Sequence, residues 1–180
     1  SVNLIKEAKK KGLQVSCSTS VHHLTLTDDE LHGFDSAVKV TPPLRTKNDC
    51  KSLLKGINDG TIDIITSDHN PIDIENKKVE FSAAKSGTIG LESLFGALNN
   101  SIDYHFFIEN ITTKPRMLFN IDVPKIEVGA KADITLFDPD KSYTFSNKDI
   151  ISTSKNSAFL NKELKGKAYG IFANNQLVIH

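Results

Sequence analysis

Four short polar clusters in the 180-residue chain carry side chains able to do chemistry. Ser20-Val21-His22-His23-Leu24 offers two imidazoles, and neutral imidazole is the commonest nitrogen ligand for zinc. On an extended segment adjacent side chains point to opposite sides, so at most one of the two faces a given site. Taken alone, the plainer reading is favoured: a surface or hydrogen-bonded histidine pair. Thr66-Ser67-Asp68-His69-Asn70-Pro71 is the most suggestive cluster. A carboxylate beside a histidine at the end of an apolar strand can both ligate a metal and carry a proton. An aspartate opening a turn ahead of Pro71 accounts for the spacing equally well. Thr41-Pro42-Pro43-Leu44-Arg45 reads by itself as a strand terminator followed by an ion-pairing arginine. Ser86-Gly87-Thr88-Ile89-Gly90-Leu91-Glu92 opens a helix whose backbone N–H groups could meet an anion, a weak signal on its own.

Each cluster follows a segment with a regular pattern. Val2, Ile5 and Ala8 form the apolar stripe of a first helix that closes at Lys9-Lys10-Lys11 and stops at Gly12. Leu13–Cys17, Ala37–Val40 and Ile62–Thr66 read as strands. Thr46 with Asp49 three residues on approaches a capping box, and Leu53, Leu54 and Ile57 supply that helix's buried face. Helix resumes near Gly90–Leu98. The threefold recurrence of strand, loop and helix predicts a parallel α/β fold, with functional groups at the strand ends. It is either a small doubly wound sheet or the latter part of a (β/α)8 barrel. The tail differs. Ala132–Phe137 reads as a strand entering a turn at Asp138-Pro139-Asp140, and Tyr169–Ala173 and Gln176–Ile179 flank Asn174-Asn175 as a hairpin.

Composition narrows the partners. With 22 basic and 22 acidic residues, no face is forced to be positive, so neither nucleic acid nor an anionic membrane is expected. No apolar run is long enough to cross a bilayer. Cys17 and Cys50 form neither a disulfide framework nor a CxxC pair, which suits a reducing cytoplasm.

Taken in order, the clusters resemble the dihydroorotase family over almost the whole chain. His22-His23-Leu24 with Leu26-Thr27-Asp28 is similar to its histidine segment, and Lys39-Val40-Thr41-Pro42-Pro43-Leu44-Arg45 to its substrate loop. Asp59 through His69 resembles its last barrel strand and catalytic aspartate. Gly87-Thr88-Ile89-Gly90-Leu91-Glu92 resembles the following helix start, and Val128–Ile134 the return to a small β domain.

The resemblance implies a (β/α)8 barrel with a small β-sandwich: residues 1–120 would be the C-terminal portion of the barrel and 121–180 a segment of the sandwich. It implies reversible hydrolysis of dihydroorotate to N-carbamoyl-L-aspartate in pyrimidine biosynthesis, with two zinc ions. His23 and Asp68 would be metal ligands, Asp68 also the acid/base, and Thr41, Ile72 and Gly87 would occupy substrate positions. Two of these depart from the family: Thr41 stands where Asn is usual and Ile72 where His is usual, while Val21 replaces a usual Pro. The family's upstream His-x-His motif, bridging residue and a further histidine ligand are missing, and the chain opens at Ser1 with a helix under way. It is therefore expected to be a C-terminal piece, inactive alone. The altered positions keep two other roles open: a catalytically silent scaffold for aspartate transcarbamoylase, and a related cyclic amidase such as allantoinase or dihydropyrimidinase. The expected partners are a small-molecule substrate, a second copy in a homodimer, or aspartate transcarbamoylase.

Overall fold

The computed structural model describes residues 1–179 and sorts them into two sheets with helices around the first. Strands β1 (Ser18–Ser20) and β2 (Ile64–Thr66) pair in parallel, Ser18 opposite Ile64 and Ser20 opposite Thr66. Between them run α2 (Val21–Thr25) and α3 (Lys47–Asn58); α1 (Val2–Lys10) precedes β1. Parallel neighbours need such a crossover.

The capping box of α3 is present. The Thr46 hydroxyl oxygen accepts from the Asp49 N–H, and the Asp49 carboxylate accepts from the Thr46 N–H at 3.2 Å. Two expected strands take other forms. Leu13–Cys17 is extended but has no ladder partner among the described residues, and its apolar side chains Leu13 and Val15 are exposed; pairing starts only at Ser18. Ala37–Val40 begins as a single 3₁₀ turn, Ser36–Val38. The Lys39 carbonyl then accepts from the Gly87 N–H at 2.9 Å, so this backbone is committed to a loop and not to a strand.

After β2 come α4 (Ile74–Lys77), α5 (Leu94–Asn99), α6 (Tyr104–Ile111) and α7 (Thr113–Leu118). The second sheet is antiparallel, in the order β3 (Ile134–Thr144), β4 (Glu163–Ala173), β5 (Gln176–Ile179). The turn expected at Asp138-Pro139-Asp140 lies inside β3, where the register slips between Asp138 and Ser142. An irregularity there excuses Pro139 from donating to the ladder. Asn174 and Asn175 sit at φ 51° and 59°, the left-handed pair that a two-residue hairpin requires.

One hydrophobic core joins both parts of the chain. Val21, Ile65, Ile89, Leu98 and Phe107 belong to the same buried cluster as Phe145, Phe159 and Leu164. Each large side chain so buried contributes roughly 1.5–3 kcal/mol. No helix among the described residues is long and apolar enough to cross a membrane.

Candidate functional site

The paired strands end side by side, and their carboxyl ends deliver His22, His23 and Asp68 to one place. Val21 and His22 open α2 pointing inward, both with no exposed surface. His22 Nε2 lies 3.2 Å from Asp68 Oδ2, yet neither ring nitrogen makes a hydrogen bond of acceptable geometry. The contact is thus one of proximity and charge, not a formed bond. Burial drives the His22 pKa down to about 4, with neighbouring His23 pushing the same way and Asp68 opposing. His22 is therefore neutral at pH 7.

His23 faces elsewhere. A step along a helix turns a side chain by about 100°, and that rotation takes His23 to the Pro-Pro loop. Its Nε2 lies 2.9 Å from the Pro42 carbonyl oxygen, which only accepts, so Nε2 carries the proton. Its Nδ1 then accepts from the Ser20 hydroxyl at 2.6 Å. Both nitrogens are engaged. The structure brings His22 to Asp68, and ties the expected ligand His23 to loop and strand. Sequence reasoning placed the two on extended chain; the short helix decides which one turns inward.

Asp68 has φ 44°, the left-handed region that aspartate tolerates better than most residues, and its side chain is about half exposed at 48%. It borders an open cleft of about 830 Å³ with Thr41, Arg45, His23 and Thr66. Ile72 and Gly87 do not line that cleft. They touch one another: a Cβ on Gly87, which sits at φ 143°, would come within 2.8 Å of Ile72 Cγ1.

The loop carrying these residues is tied from two sides. Lys77 is buried at 3% exposure, and its ammonium donates to the carbonyls of Lys85 at 2.9 Å and Gly87 at 3.0 Å. Burial lowers its pKa to about 8, with Lys39 assisting and Asp35 resisting. From the far end of the chain, residues 152–158 form a strap. Ser154 donates its hydroxyl to the Ile72 carbonyl at 2.9 Å, and Asn156 donates its side-chain amide to Gly87 O at 2.9 Å. The Ala158 N–H donates to Thr88 Oγ1 at 2.8 Å. Neither Lys77 nor the strap announced itself in the sequence.

His69 is not among the residues that line the cleft, and it joins the same strap. Its Nδ1 accepts from the N–H groups of Gly90 and Leu91, each at 3.3 Å, and its Nε2 faces Ser152 Oγ at 3.4 Å.

Among the described residues no group of three or more His, Cys, Asp or Glu side chains could hold a metal ion. The buried, unpartnered His22 nitrogen and the Asp68 carboxylate are two donors, short of the three or four protein ligands that a zinc site takes. These residues do not by themselves fit the two-ion centre that the resemblance implies.

A sequence profile described as "Amidohydrolase family" matches residues 2–168. The chain is 36% identical over 183 residues to a protein named dihydroorotase in Geotalea daltonii, covering 99% of this chain and 43% of that one. It is 38% identical over 188 residues to a protein of the same name in Acetivibrio thermocellus, with the same coverage of 99% and 43%. The chain thus spans less than half the length of these curated relatives. Among solved structures, it superposes on an L-hydantoinase (dihydropyrimidinase) from Arthrobacter aurescens with a TM-score of 0.89 at 26% identity, covering 99% of this chain and 42% of that one. A D-hydantoinase (dihydropyrimidinase) from Thermus sp. gives a TM-score of 0.86 at 25% identity, with the same coverage of 99% and 42%. With the profile spanning the parallel strands, the strand-end site, β3 and the first half of β4, the chain belongs to the amidohydrolase family.

Proposed function

We propose that this chain carries the aspartate of a cyclic-amide hydrolase site of the dihydroorotase type, interconverting dihydroorotate and N-carbamoyl-L-aspartate in pyrimidine synthesis. One observation carries the reading: Asp68 projects into an 830 Å³ cleft at the carboxyl ends of two parallel strands, with the buried His22 beside it. That is where parallel β/α proteins keep their chemistry. In the hydrolytic direction a water oxygen bonds to the ring carbonyl carbon while the ring C–N bond breaks. The Asp68 carboxylate takes one proton from that water and returns it to the departing nitrogen. Neutral His22 leaves Asp68 outside a fixed ion pair, so the carboxylate is free to carry the proton. Lys77 and the strap hold the Ile72–Gly87 loop still beside it.

Proteins of the amidohydrolase family are generally metal-dependent, and zinc is the ion we assign to the whole site; no step above is routed through it. We further assign residues 1–120 to a (β/α)8 barrel and 121–180 to a small β-sandwich, with Phe145 and Phe159 reaching back into the barrel core.

The test is turnover of dihydroorotate by the whole protein. Asp68→Asn should lower kcat by roughly 10²–10⁴-fold, the usual worth of a positioned acid/base. An Asp68→Asn protein as fast as the wild type would sink the assignment. A second reading is favoured by Ile72, which packs on Gly87 away from the cleft and offers no polar contact to a substrate. On that reading the protein is a silent scaffold for aspartate transcarbamoylase. It predicts no turnover with zinc present and stable co-migration of the two proteins.

A further inference from the structure

The loop that follows β2 is fixed at its root by groups from two distant parts of the chain, residues 90–92 and Ser152, and their hydrogen-bond polarity can be worked out. His69 Nδ1 receives the N–H groups of Gly90 and Leu91, so Nδ1 holds a lone pair and the ring proton is on Nε2. Nε2–H faces Ser152 Oγ at 3.4 Å. The Ser152 hydroxyl proton goes in turn to Glu92 Oε1 in a short hydrogen bond, and the Ser152 N–H donates to that same oxygen at 2.8 Å. The chain runs one way, from His69 through Ser152 to Glu92. Burial works to push the Glu92 carboxyl up, but the two bonds from Ser152 outweigh it and leave the carboxyl below its ordinary range. An ionised Glu92 accepts and never donates, so it fixes the direction of the whole chain.

Asp68 lines the cleft, and the residue after it carries this anchor. Its neighbour Ser67 packs against Gly90 so closely that a Cβ on Gly90 would run into the Ser67 carbonyl oxygen. The backbone from Ser67 to His69 has no slack on that side, and Asp68 is held at φ 44° within it. A hold on the His69 ring is therefore also a hold on the short backbone from which the Asp68 side chain leaves.

We propose that Ser152 is a positioning residue: through His69 it sets the direction of the Asp68 carboxylate, from 83 residues further along the chain than the ring it holds. Only a hydroxyl can accept from His69 and donate to Glu92 at once, so Thr can stand in and Ala cannot. This rests on Asp68 being the acid/base.

The experiment compares Ser152→Ala and Ser152→Thr with the wild-type whole protein, by dihydroorotate kinetics and by ¹⁵N-imidazole resonances of His69. Ser152→Ala should lower kcat by roughly 10- to 100-fold, the cost of a misdirected reacting group. Its KM should stay within about twofold, since substrate binding is not touched. The His69 resonances should pass from one Nε2–H tautomer to a mixture, and Ser152→Thr should recover both. Unchanged kcat and tautomer in Ser152→Ala would overturn the proposal, as would a threonine variant as damaged as the alanine one. A wild-type protein without turnover defeats the proposed function instead; the tautomer comparison then decides on Ser152 alone.

Discussion

Lys77 allows the most quantitative test of the packing around the site. Its ammonium is buried, and its pKa falls from the ordinary 10.5 to about 8. In the unfolded chain the lysine returns to its ordinary value. Below pH 8 both states are protonated, and folding bears the cost of taking the charge out of water. As pH rises from about 8 towards 10.5 the folded lysine loses its proton first, so the cost is relieved and stability rises. Each pH unit of that gap is worth about 1.4 kcal/mol, and the whole gap about 3 kcal/mol. The perturbation is Lys77→Met, which keeps the length of the side chain and removes the titration. The two carbonyls lose a donor, but Gly87 O keeps Asn156 and Lys85 is exposed, so their loss should be confined to about 1–3 kcal/mol. The assay is urea denaturation of both proteins at pH 7 and pH 10. Cys17, Cys50 and Tyr143 have raised pKa values and also respond in alkali, with the opposite sign. They are common to both proteins and cancel in the difference. The wild type should gain on the variant by about 2–3 kcal/mol between the two pH values. A gap that stays constant refutes a buried, charge-strained Lys77.

Asp68→Gly should abolish turnover yet leave stability unchanged or raised by up to about 1 kcal/mol, because glycine accepts the left-handed backbone freely; thermal melts showing a loss greater than that would remove the case for strain. Gly87→Ala should cost more than about 2 kcal/mol, since the new methyl meets Ile72 on a backbone that L residues rarely adopt. Trimming Ile72 to Ala in the same protein should restore only part of it. Phe107→Ala, in the middle of the shared core, should lower stability by about 3–5 kcal/mol with β3 and β4 unfolding in the same transition as the site. Two separate transitions in calorimetry would contradict a single core.

What could be read in advance was local. The Thr46–Asp49 cap, the first helix and the Asn174-Asn175 hairpin depend on residues close in sequence, and the structure has all three. The position of Asp68 just past a strand end was legible because an apolar strand pointed to it. What was not legible lies where distant chain or an unforeseen helix decides. Ala37–Val40 has strand-like residues, but its backbone is claimed by Gly87. His22 and His23 cannot be told apart until it is known that Val21 opens a helix, which turns His22 inward. Lys77, Ser152 and Asn156 act through partners that no spacing rule connects to them.

The strap over residues 152–158 has a consequence for how the protein is made. A ribosome releases the groups that look reactive, His22, Asp68 and His69, long before Ser152, Ser154 and Asn156 emerge. Contacts so far apart in sequence close late. Until they do, the Asp68 loop is held without the strap, by Lys77 and the N–H groups of Gly90 and Leu91. His22, Asp68 and His69 all precede residue 152, so they are made before any of the strap that ties this loop. On the proposal that the strap aims Asp68, the carboxylate takes its working direction only after residues 152–158 have been added.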